Sequence, residues 1–267
     1  MFHLAIRPLC ADAENQAVEL ARQFALPLFQ ELSTSDQEGV KILLELDEGQ
    51  LYLRLSDWAP RARLSLDFLG GKLGYRQAQL KTHSELLRRA TGIQTGQRLR
   101  LVDATAGMGT DSLILAAMGF EVLALERHPV LALMLNAALA RAQASMDAPA
   151  YLRQIRFLGA DAVDWLRHNA GAGSDVIYLD PMFPERQKAA QVKKPMQLLQ
   201  VLLEETPDDG GGLLEAALQT ARYRVVVKRP LRAPWLADRQ PSHQIKGSNI
   251  RFDIYALRSI RQLVKAG

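Results

Sequence analysis

From residue 99 onward the chain repeats one pattern. Short apolar runs at 99–104, 121–125, 155–158, 176–179 and 224–227 read as strands, and stretches at 111–118, 129–145, 162–169 and 213–221 carry apolar residues at helical spacing between them. A run such as Val176, Ile177, Tyr178, Leu179 has no polar side to give to water, which is what a strand covered on both faces requires. Strand and helix alternating in this way predict a mostly parallel, doubly wound α/β sheet of Rossmann-like type. The tail departs from it: extended runs at 242–246 and 251–258, separated by Gly247, Ser248 and Asn249, predict a closing antiparallel hairpin.

The first part of the chain is patterned differently. A helical stretch at 15–24 precedes two alternating runs, 41–45 and 51–55, with Asp47, Glu48, Gly49 and Gln50 between them as a hairpin turn. A third extended run, 63–68, leads into the glycine-rich segment GGKLGYR at 70–76. These elements predict a small α+β appendage over residues 1–80 ahead of a larger α/β domain over 81–267.

Composition narrows the reading. The 267 residues are 48% hydrophobic and 23% charged, enough for a large core and without the signature of disorder. The longest apolar stretches, 113–118 and 130–135, fall well short of the roughly 20 residues that cross a bilayer, and the N-terminus has no signal-peptide pattern, so no membrane partner is expected. The single cysteine, Cys10, excludes an intramolecular disulfide and a cysteine metal cluster, and fits the cytoplasm. His3, His83, His128, His168 and His243 show no ligand spacing, so no metal is expected and all five are read as structural, with His128 the one placed near a ligand. Basic residues exceed acidic ones by four, which permits a polyanionic partner. They gather at Lys72, Arg76 and Lys81, at Arg186, Lys188, Lys193 and Lys194, and at Lys228, Arg229 and Arg232. Most such clusters are solvated surface, but each of these abuts a segment with candidate chemistry.

The first strand of the α/β region ends in LVDATAGMGTDSL, with Gly107 and Gly109 at the turn into a helix. A bare glycine pair is as often a tight turn as a ligand site. Two carboxylates raise its value: Asp103 at the strand end, and Glu126 twenty-three residues later at the end of the second strand, where an acid accepts hydrogen bonds from a ribose diol. A dinucleotide-binding loop wants a third glycine where this chain has Ser112, and Asp111 would set a negative charge beside a diphosphate. S-adenosylmethionine carries no phosphate and has a positive sulfonium, so an acid-rich loop suits it. Asp161, after the third strand, is placed to meet an adenine amine, and would serve equally as a helix N-cap.

The fourth strand runs into Asp180, Pro181 and Phe183, at the sheet edge where open α/β proteins put their chemistry. The tetrapeptide looks like the Asp-Pro-Pro-Tyr type of motif found in enzymes that methylate exocyclic amines of bases. An aryl amine is a poor nucleophile because its lone pair is delocalised into the ring. The Asp180 carboxylate and the Pro181 carbonyl, accepting its hydrogens, would favour the reactive nitrogen, while Phe183 stacks on the extruded base. The bland alternative is a strand-ending turn and a core phenylalanine. Arg186, Lys188, Lys193 and Lys194 follow as candidate phosphate contacts, and Lys228 and Arg229 end the fifth strand on the same edge.

Taken together, DATAGMGTDSLILAAMG, LERHP, YLDPMFPERQKAAQVKKPMQ, VVVKRP and RFDIYA resemble the bacterial ribosomal small-subunit methyltransferase J family over residues 60–258. The resemblance implies a class I methyltransferase that uses S-adenosylmethionine to methylate N2 of a guanosine near the 3′ end of 16S rRNA. It also implies cofactor contacts at Thr110, Asp111, Glu126, Arg127, Asp161, Ala162 and Asp180, with Lys72 and Arg76 seating RNA. Two other readings remain at this point: a nicotinamide-dependent oxidoreductase, and an RNA-binding assembly factor without catalysis.

Overall fold

A computed structural model of the protein describes residues 4–30, 40–57, 63–69, 77–94, 96–171, 174–181, 198, 201–202 and 210–259. They fall into two compact units. One is built from the described residues up to Asp67 together with Leu198, Val201 and Leu202, the other from those of Phe68–Phe183 and Asp208–Gly267.

The first unit is a three-stranded sheet in the order β1 (Leu4–Pro8), β2 (Ile42–Asp47), β3 (Gln50–Leu55), with helix α1 (Glu14–Phe24) between the first two strands. β1 runs parallel to β2, and β3 antiparallel. The expected hairpin forms, with Glu48 and Gly49 both in the left-handed region (φ 46° and 76°) that a tight two-residue turn needs. β1 is absent from the sequence reading. Ala5 and Ile6 are both fully buried, so the segment shows no alternation, and its parallel pairing leaves no turn signal beside it. The run at 63–68 does not extend the sheet. Leu64 makes one bridge to Leu53 (2.7 and 2.8 Å), while Phe68 belongs to the second unit, its ring 5.8 Å from that of Phe157.

The second unit carries a seven-stranded sheet of β4 (Arg100–Asp103), β5 (Glu121–Glu126), β6 (Ile155–Gly159), β7 (Val176–Leu179), β8 (Arg224–Pro230), β9 (His243–Lys246) and β10 (Ile250–Ala256), in the order β6-β5-β4-β7-β8-β10-β9. The strands from β4 to β8 are parallel, and β10 is antiparallel to both of its neighbours. This is the doubly wound sheet with a C-terminal antiparallel hairpin that the sequence predicts. Helices α3 (Thr110–Ala117), α4 (Pro129–Gln143), α5 (Ala162–His168) and α6 (Gly211–Thr220) follow the expected alternation. Leu166, Leu213, Leu214 and Ala217 from α5 and α6 bury one face of the sheet with Ile177, Leu179, Val225 and Val227.

Helix α2 (Gln77–Thr91), which the sequence reading missed, precedes the sheet and contains residue 80, where the appendage is expected to end. Among its described side chains, Leu87 and Ala90 are buried. It ends at Gly92 (φ 72°), where a Cβ would lie 2.6 Å from the Arg224 guanidinium, and Arg224 Nη1 donates to the Ala90 carbonyl (3.1 Å). The direction of winding reverses at β4, which makes the C-terminal ends of β4 and β7 the topological switch point where such sheets bind ligands.

Candidate active site

Successive residues of a strand point to opposite faces, and this alternation selects which polar groups meet. Val102 of β4, Ile177 and Leu179 of β7, and Val225 and Val227 of β8 all share the core with α6. Asp103, Tyr178, Asp180 and Lys228 therefore fall on the other side, where α2 and α3 bring His83 and Asp111.

Lys228 joins these groups into one network. Its Nζ donates to Asp111 Oδ2 and to Asp180 Oδ2, both at 2.8 Å. Asp111 Oδ2 also accepts from the Tyr178 hydroxyl (2.6 Å), and its Oδ1 lies 3.0 Å from His83 Nε2. Burial alone would push the Asp111 carboxyl up, but the His83 hydrogen bond and the Lys228 charge outweigh it and hold it far below the usual carboxylate range. Burial likewise pulls on the Lys228 ammonium, and the charges of Asp111 and Asp180 more than reverse that, raising it above its ordinary value. Asp180 is raised, chiefly by burial, against the lowering pull of Lys228. Its side chain is still 38% exposed, and its backbone N–H donates to Thr105 Oγ1.

At the turn after β4, Gly109 (φ 75°) is the N-cap of α3, and a Cβ there would lie 2.9 Å from Leu135 and 3.0 Å from Phe157. Gly107 (φ 54°) has open space where a side chain would project, the nearest atom being the Thr105 carbonyl oxygen at 3.9 Å. Glu126 is buried and accepts from the Gly107 N–H (3.0 Å) and the His128 N–H (2.8 Å), one on each carboxylate oxygen. It thus shapes the turn, with the Arg127 backbone also reaching the same carboxylate. Burial raises its pKa against those hydrogen bonds.

The structure corrects several expectations. Asp103 does not face an open crevice: it is 1% exposed and accepts from Ser112 Oγ (2.5 Å) and the Thr105 N–H (3.1 Å). Burial raises its pKa to about 7. Its role is to latch the start of α3 to the end of β4. Lys228 and Arg229, expected on one edge as RNA contacts, part to opposite faces of β8, Lys228 to the two carboxylates and Arg229 into burial at 1% exposure. His83, read as structural, meets Asp111. Tyr178 and Thr105 were not singled out, since a tyrosine inside an apolar strand gives no sign of which side its hydroxyl reaches. Asp161 is the N-cap of α5, accepting from the Asp164 N–H (3.0 Å). Thr110 and Ala162 are partly buried, Arg127 is exposed, and Pro181 follows Asp180 at the strand end. Phe183, Lys72, Arg76, Arg186, Lys188, Lys193 and Lys194 lie outside the described residues. Among the described residues no cluster of histidine, cysteine or carboxylates is arranged to hold a metal ion, and no helix is long and apolar enough to cross a membrane.

The chain is similar to known proteins. A family model described as "Putative SAM-dependent methyltransferase" matches residues 27–257. The crystal structure of a SAM-dependent methyltransferase from Neisseria gonorrhoeae superposes with a TM-score of 0.72 at 26% identity, covering 98% of this chain and 100% of that one. Fold and site together define a class I methyltransferase whose methyl donor is S-adenosylmethionine. Two curated relatives are more specific. The ribosomal RNA small subunit methyltransferase J of Thioalkalivibrio sulfidiphilus is 42% identical over 94% of this chain and 97% of its own length. The protein of the same name from Pseudomonas syringae is 36% identical over 97% of this chain and 93% of its own length. The chain belongs to the ribosomal RNA small subunit methyltransferase J family. Its residues fit the cofactor, since the open side of Gly107 admits a ligand close to the backbone and Glu126 keeps acceptor capacity for a diol beside it.

Proposed function

We propose that the chain methylates the exocyclic N2 amine of a guanosine in 16S rRNA. Gly107, Gly109, Thr110 and Asp111 would hold the methionine part of the cofactor, Glu126 and Arg127 its ribose, Asp161 and Ala162 its adenine, with Asp180 beside the reacting end. When bound, S-adenosylmethionine supplies a methyl group on a sulfonium. Asp180, its Oδ2 occupied by Lys228, presents Oδ1 to an amine hydrogen, and the Pro181 carbonyl accepts the other. Both acceptors draw the nitrogen lone pair out of the ring, and Phe183 stacks on the base to orient it. With the donor bound, its methyl would pass to that nitrogen as the sulfonium became a neutral thioether, and Asp180 would be placed to receive the one proton the amine gives up.

The observation that carries this reading is the Lys228 bridge, which fixes a partly exposed carboxylate at a strand end beside a nucleoside-binding turn. Its salt-bridged cation stabilises the ionised form that an acceptor must have. Mass-spectrometric mapping of 16S rRNA from cells with and without the gene tests it. One N2-methylguanosine disappearing with the gene is expected; an unchanged methylation map would refute the assignment.

A further inference from the structure

On the face of the sheet opposite Asp180, two buried guanidinium groups are committed to a single surface loop, residues 231–239. Arg229 donates Nε and Nη2 to the Pro234 carbonyl (3.1 and 2.5 Å), and Arg251 donates Nη1 to the carbonyls of Pro230 and Leu231 (3.1 and 2.8 Å). Arg251 is itself clamped by the fully buried Asp253 (2.8 and 3.0 Å), which also accepts from Gln244 (2.7 Å). Leu236 is driven into the core, so close to Gly210 that a Cβ there would lie 2.6 Å from its Cδ1. Ala237 and Asp238 then adopt left-handed backbone (φ 51° and 52°) without being glycine, a conformation that only enforcing surroundings maintain. The Tyr255 hydroxyl holds the Arg239 carbonyl (2.8 Å).

With its carbonyls turned inward, the loop leaves Trp235 outside, 40% exposed, between the exposed Arg232 and Arg239. A connection that merely joined β8 to β9 would need neither two buried arginines nor consecutive left-handed residues. Rigidity of this kind is what a preorganised contact requires. The loop leaves the C-terminal end of β8, beside the strand that ends in Asp180. Its outward groups include an indole face and two guanidiniums, against the one exposed carboxylate of Asp238, a set that leaves net positive charge beside an aromatic face and suits an unstacked base and its phosphates.

We propose that this loop is a fixed platform for rRNA, on which Trp235 stacks a nucleobase flanking the target and Arg232 and Arg239 meet the backbone. The inference rests on the reading of the chain as an rRNA methyltransferase. The test compares wild type with W235A, W235F and the double variant R232A/R239A, using naked 16S rRNA and, separately, the assembled small subunit. W235A should raise the KM for naked rRNA about tenfold, the scale of one lost base stack, with kcat and S-adenosylmethionine affinity unchanged. W235F should recover most of that loss, and R232A/R239A should flatten the salt dependence of binding by roughly 1.5 in log–log slope. W235A matching wild type within twofold on naked rRNA overturns the proposal, as does a defect seen only with the assembled subunit, which would assign the indole to a ribosomal protein. A wild-type chain that neither binds nor methylates rRNA would instead overturn the function on which the platform rests.

Discussion

In the first unit, Glu45 and Arg54 are 2% and 4% exposed and face one another at 2.9 and 3.0 Å, with Arg7 at 3.7 Å from the same carboxylate oxygen. In the second, Lys228 stands between Asp111 and Asp180 at equal distance, and Asp180 opens to solvent. Both clusters pair carboxylates with cationic side chains. The first is closed, one buried acid answered by the buried guanidinium of Arg54 and the partly exposed one of Arg7. The second holds two acids with one strong cation and leaves one acid partly exposed, so it has acceptor capacity for something that is not protein. What separates a structural ion pair from a working one here is therefore where the last lone pair points, not how buried the charges are.

The sharpest way to break this contrast is Asp180→Ala. Methyl transfer should fall by about a thousandfold or more, the order expected on losing a preorganised polar contact to the reacting group, while the thermal midpoint stays near wild type. Single-turnover transfer of a labelled methyl group measures it. Arg54→Met should act in the opposite sense, on stability. Removing Arg54 leaves the buried Glu45 carboxylate with only the partly exposed Arg7, at 3.7 Å, and should cost up to about 3 kcal/mol, whereas Glu45→Leu combined with Arg54→Met should recover most of that loss in urea denaturation.

Lys228→Met sharpens the second cluster. Transfer should drop about 10–100-fold, and the pH profile should identify the cause. Lys228 lowers the Asp180 pKa, so without it that pKa rises and the acid limb of the rate profile moves to higher pH. An acid limb that stays in place while the rate falls would point to misfolding instead. The smallest effect belongs to Asp103. Its folded pKa of about 7 lies above the ordinary 3.8, so the folded state binds the extra proton between those values, and the resulting stability is lost as pH rises through about 7. Asp103→Asn, which keeps partners for Ser112 and the Thr105 N–H, should remove that fall. Urea midpoints at about pH 5 and pH 8 would then differ less than in wild type.

Much of the second unit was legible because the central parallel strands are apolar on both faces, β6 at the edge excepted, and several end in a turn with its own chemistry. The glycine turn, Glu126 and Asp180 stand at strand ends, and position in an α/β alternation is enough to find them. His83 was not legible, because nothing near residue 83 in the chain indicates that a strand end lies across from it. Arg229 was misread for the complementary reason. Beside Lys228 it looks like half of a basic pair, and the one-residue pleat that sends the two to opposite faces takes effect only once the sheet exists.

The sequence by itself determined the alternation of strands and helices from β4 onward, the tight turn with its acids, and the Asp-Pro strand end, since these follow from local periodicity, from backbone conformations open to glycine, and from spacing along the chain. Only the tertiary structure decided which charges are neutralised, because that depends on distance and burial across the sheet. Asp103 became a buried latch, Asp111 an anchor for a lysine more than a hundred residues away, and Asp180 the acid left with an open side. Pairing of this kind is set by packing in a medium where a charge without a partner is costly, and residues distant in the chain leave no mark on one another until they are packed together.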